Sequence, residues 1–131
     1  IYVSLNSRHK THITNPNCWR DDFGKKPPPM TVITQTDILL GKYRSRLPDH
    51  QERYLEYVTS LELSGKEDMI LWPDHCLIGT EGHAVIPVVN DALQEWAGVN
   101  MRTIDYITKG SNCFTEMYVS TPLFILLFFL F

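Results

Sequence analysis

No run of about 20 apolar residues occurs in these 131 residues, so no segment is long enough to span a bilayer as a helix. A basic stripe interleaved with aromatics is equally missing. With a formal net charge of −3, nothing points to nucleic acid as a partner. Neither CxxC nor HExxH spacing is present, which removes the common short signatures of a metal site. Cysteine is scarce: Cys18, Cys76 and Cys113 are widely spaced and odd in number. That argues against a disulfide framework and for a reducing, cytoplasmic setting. There is also no internal repeat. The opening "IYVSL" has no methionine and no leader, and it reads as a strand entered midway. The expectation is a chain incomplete at its N-terminus.

What is present is ordinary for a folded protein. Apolar residues make up 44% and charged residues 21%, and the length fits one domain with a core of its own. Strand signals at "IYVSL", "MILW" and "TIDYIT" alternate with three helix signals. In "TQTDILLG", Thr34 is placed as N-cap with Asp37 three residues on, and Gly41 is the stop. In "PDHQERYLEYVTSLELSG", Tyr54, Leu55, Val58 and Leu61 form one stripe, and Gly65 ends the helix. In "GHAVIPVVNDALQEWAG", Val85, Val89, Ala92, Leu93 and Trp96 share a face, with Pro87 in the first turn. Pro27, Pro28 and Pro29 keep the long polar loop before them extended and non-helical. Alternation of this kind predicts an α/β fold: a parallel sheet covered by helices on both faces. The end "TPLFILLFFLF" stands apart. Its apolar run is too short to cross a membrane, and either a buried strand or an aggregation-prone segment would account for it.

"WPDHCLIGTEGH" sets His75 beside Cys76. Neighbours on an extended backbone point to opposite faces, so adjacency does not make a nucleophile and base. Zinc needs three or four ligands, and the other histidines are His9, His12, His50 and His83. From spacing alone, a structural Cys76 outweighs a metal ligand at His75, and both outweigh a nucleophile.

That segment resembles the WPxHCxxGTxG stretch of the isochorismatase-like cysteine hydrolases, which include the nicotinamidases. "LNSRHKTHI" resembles that family's DxHxxxHI loop, and "CWRDDFGKKPPPMTVIT" resembles its tryptophan-to-threonine stretch that follows. "IDYITKGSNCFTEMY" resembles its strand, KG turn and TExYS signature. The resemblance covers residues 1–118 in one consistent order and leaves 119–131 as an apolar tail foreign to it, beginning with Val119 between Tyr118 and Ser120. It implies a three-layer, Rossmann-like parallel sheet flanked by helices and incomplete at both ends. It also implies cysteine-dependent hydrolysis of an amide C–N bond in a small-molecule carboxamide.

By the same resemblance Lys109 corresponds to the catalytic lysine, whose positive charge favours a thiolate. The aspartate of the triad would precede residue 1 and the nucleophilic cysteine would follow residue 118. Cys18, Cys76 and Cys113 match neither position. In the nicotinamidase branch, zinc or another divalent metal is held by an aspartate, a histidine and the histidine of WPxHC. His75 matches the last of these, but Asn6 stands at the aspartate position and Arg8 at the histidine position. Asn is a weak neutral donor and Arg has no lone pair to give; His9 or His12 could replace one ligand at most. The expectation is therefore an inactive chain without a bound cofactor, with His75 a remnant ligand and Cys76 a core residue. The alternative is a catalytically dead domain kept for binding a ligand or a protein. Homo-oligomerisation is left open.

Overall fold

Tyr2–Asn6 forms β1 and pairs in parallel with β6, Asp105–Lys109, in the register Tyr2 to Asp105 through Asn6 to Lys109. The computed structural model describes residues 1–65 and 68–115; Tyr118 and the apolar tail lie outside them. The described residues divide into two units. The first is drawn from Ile1–Arg8 and Cys76–Ser111, the second from His9–His75 and residues 112–115.

The first unit holds β1, β6 and the helix α3, Pro87–Asn100, which opens on Pro87 as its sequence requires. A short 3₁₀ turn, Glu81–His83, precedes α3, and a single parallel bridge joins Arg8 to Leu77. The strand faces are only half covered: Tyr2 is 60% and Tyr106 is 44% exposed. The expected apolar face of α3 contains no buried residue, and Val89 and Ala92 on it are exposed.

The second unit carries the core. Ile13, Trp19, Ile33, Ile38, Tyr54, Val58, Met69 and Leu71 form one buried cluster. Strand β2, Trp19–Asp21, pairs antiparallel with β4, Tyr43–Ser45. Strand β3, Val32–Ile33, pairs antiparallel with β5, Met69–Ile70. Helix α1, Gln35–Leu39, starts in the expected capping box: the Thr34 hydroxyl accepts from the Asp37 N–H, and Asp37 accepts from the Thr34 N–H. Helix α2, Gln51–Ser64, buries Tyr54 and Val58, packs half-buried Leu55 and Leu61 on the core, and ends at left-handed Gly65.

The class is thus α/β, with helices and short strands alternating along the chain. The sheet differs from expectation. Among the described residues β1 with β6 is the only parallel pair of strands, and "MILW" pairs the other way. The cause is local. Beyond the proline run, the Met30 N–H donates to the Leu71 carbonyl and the Leu71 N–H to that of Thr31, so β5 returns antiparallel beside β3 after α1, β4 and α2 have intervened. Strands β2 and β4 lie where the sequence shows only polar loop and helix flank.

Candidate functional site

Parallel pairing brings two of the singled-out positions to one place. Asn6 and Lys109 are register partners at the C-terminal ends of β1 and β6, and the Ser7 N–H donates to the Lys109 carbonyl at 2.7 Å. In open α/β sheets this end of the strands is where ligands bind. The chain then turns at Gly110, whose φ of +72° belongs to the left-handed region that favours glycine. A Cβ there would meet Asn6 Oδ1 at 3.1 Å and Arg8 Nε at 3.6 Å, so both side chains crowd the turn. Lys109 is half-buried.

The donor set beside this turn does not suit a divalent cation. Asn6 Oδ1 is buried and accepts no hydrogen bond among the described residues, but it is a single neutral oxygen. Its neighbour is the permanently charged guanidinium of Arg8, a buried side chain only 6% exposed. Among the described residues no three His, Cys, Asp or Glu side chains gather as a metal site. His75 belongs to the second unit. Its Nδ1 donates to the Pro73 carbonyl at 2.7 Å, which leaves the Nε2 lone pair available in the neutral ring. His12 offers no replacement ligand. It is buried, its Nδ1 accepts from the Thr14 N–H at 3.2 Å, and its Nε2 donates to the Thr115 carbonyl at 3.0 Å.

Cys76 departs from its expected role. It is half-buried rather than in the core, and its φ of +48° is left-handed. Strand β5 ends at Ile70, six residues earlier, so Cys76 lies in a turn rather than at a strand end. Its carbonyl accepts from the Arg8 N–H at 3.0 Å and so helps anchor the chain after β1. A neighbouring pair was not singled out from sequence. Ser7 Oγ lies 2.7 Å from His83 Nε2. Ser7 is completely buried, which denies any substrate access, so the pair ties the end of β1 to the Glu81–His83 turn instead of forming a nucleophile and base.

The second unit holds a cavity of about 320 Å³ lined by residues far apart in sequence, among them Cys18, Arg46, Tyr54 and Cys113. Burial pushes the Cys18 thiol above its ordinary range, and the lowering effects of Tyr54, Arg46 and Arg20 do not reverse it. Burial also pushes the Tyr54 hydroxyl up, reinforced by Cys18. Both groups stay protonated at neutral pH, so neither supplies a ready nucleophile. Residue spacing gave no signal of this cavity, since its lining spans positions 10 to 113. Comparison with protein-family models, curated proteins and solved structures returned no match.

Proposed function

We propose that the chain is a domain of the isochorismatase-like hydrolase type, a three-layer α/β fold whose family chemistry is cysteine-dependent hydrolysis of small-molecule amide bonds. We infer further that these 131 residues do not themselves catalyse it. The supporting observation is the pairing of Asn6 with Lys109 at the C-terminal strand ends, followed at once by the left-handed Gly110 turn. A lysine there would hold positive charge beside a thiol, favouring thiolate. No cysteine adjoins Lys109 in sequence, and Cys18 is held protonated by burial. Arg8 beside Asn6 removes the metal from the proposal, and no step is routed through one. The cytoplasmic setting belongs to the same proposal and accords with three free cysteines.

The test is ammonia release from nicotinamide and benzamide by the purified chain, with and without added zinc. The expected rate is indistinguishable from background in both conditions. Sustained turnover that disappears in Cys76→Ser or Cys113→Ser would overturn the inactivity and the assignment of Lys109 together.

A second reading is favoured by the cavity of the second unit: a domain that binds a ligand without transforming it. Protonated thiol and phenol groups beside cationic side chains make a surface suited to holding a molecule rather than attacking it.

A further inference from the structure

The cavity between Cys18 and Arg46 has a chemistry of its own. Its volume of about 320 Å³ falls at the small end of ligand pockets, enough for a single-ring molecule. Tyr54, Leu47 and His50 give it aromatic and aliphatic surface. The Tyr54 ring is fixed from behind by Trp19 at 4.9 Å, and His50 stands 5.8 Å from Tyr54, so these rings are held before any ligand arrives. The charged groups in the lining are cationic: Lys10 and Arg46. Lys10 already faces Asp74 at 3.7 Å, an exposed and therefore weak pair. No carboxylate pairs with Arg46 among the described residues. Its backbone is tied down, because the Arg46 N–H donates to the Cys18 carbonyl at 2.7 Å.

We propose that this cavity binds a small aromatic carboxylate, its ring against Tyr54, Leu47 and His50 and its carboxylate on the Arg46 guanidinium, with Lys10 adding charge. A guanidinium presents a planar fork that matches a carboxylate in two parallel hydrogen bonds. A neutral ring would gain only the apolar surface, and a small anion without a ring only the charge. The two together define the ligand class. The inference rests on the ligand-binding reading and is independent of the hydrolase reading, since neither Lys109 nor His75 lines the cavity.

Saturation-transfer NMR on the full chain tests it, with benzoate, benzyl alcohol and acetate as probes. Benzoate is expected to bind with a dissociation constant of roughly 1 mM or below. Benzyl alcohol and acetate are each expected to be at least about tenfold weaker. Arg46 is exposed, and Arg46→Gln, with its fold checked by circular dichroism, should weaken benzoate by about tenfold, and Arg46→Lys by less. Absence of benzoate binding at ~10 mM, far above that expected constant, overturns the inference. So does equal affinity for benzyl alcohol, or benzoate affinity unchanged in Arg46→Gln. Ammonia release in the amidase assay bears on Lys109 alone, so the two failures are distinguishable.

Discussion

Gly110 concentrates the demands of the strand-end turn in one residue. Its left-handed φ disfavours any side chain, and a Cβ would meet Asn6 Oδ1 at 3.1 Å, tighter than ordinary contact. Gly110→Ala should therefore destabilise the chain by about 1–3 kcal/mol. Urea unfolding of the two proteins measures this, and equal midpoints at equal slopes would show that the turn relaxes freely. Cys76 marks the limit of residue-level reading. A cysteine after an apolar strand signal is ordinarily a small core residue. Here the backbone takes a left-handed turn at Cys76, which no residue type announces, and the side chain stays half-buried. Arg8 was legible as a misfit for metal by its chemistry alone. Its closeness to the Gly110 turn depends on strands about a hundred positions apart in sequence.

Helices were the most legible elements, because their signals are local. Thr34, Asp37 and Gly41 occupy the cap, third-residue and stop positions that their sequence order foretold, and Gly65 and Pro87 mark the end of α2 and the first turn of α3 in the same way. The Thr34 cap yields a direct prediction. Thr34→Ala removes the hydroxyl that accepts from the Asp37 N–H and should cost about 1 kcal/mol. Asp37 adds a pH dependence. Burial pushes its carboxyl up, but hydrogen bonds from Lys42 and Thr34 outweigh that and hold it below its ordinary value. A depressed folded value means that the stabilisation is present above the unfolded pKa and lost as pH falls through the folded one. Stability should thus fall on acidification below about pH 4, less steeply in Asp37→Asn. Urea midpoints at stepped pH check it; parallel curves for the two proteins would remove Asp37 from the account. The strands were less legible. β2 and β4 have three residues each, too few for alternation to register, and pairing direction is not written in a two-residue strand.

At the scale of the whole molecule, the sequence pattern assigned the α/β class and the three helices, while the expected parallel sheet reduces among the described residues to β1 with β6. The reason is that hydrophobic pattern reports which faces seek burial, not which partners supply it. The core gathers in the second unit around Trp19, Tyr54 and Val58, whereas the described surface of α3 stays largely exposed. Of the residues singled out by resemblance, Asn6, Arg8 and Lys109 belong to the first unit and His75 to the second, which also holds the cavity with Arg46 and Tyr54. Everything proposed for Lys109 depends on its standing opposite Asn6 at the ends of two parallel strands. Interstrand proton contacts in an isotope-labelled sample test that placement most directly. The account predicts contacts that ascend together, Val3 with Tyr106, Ser4 with Ile107 and Leu5 with Thr108, and a Ser7 amide slow to exchange because it donates to the Lys109 carbonyl. Contacts that run in opposite directions, or a one-residue slip that moves Asn6 off Lys109, would contradict it.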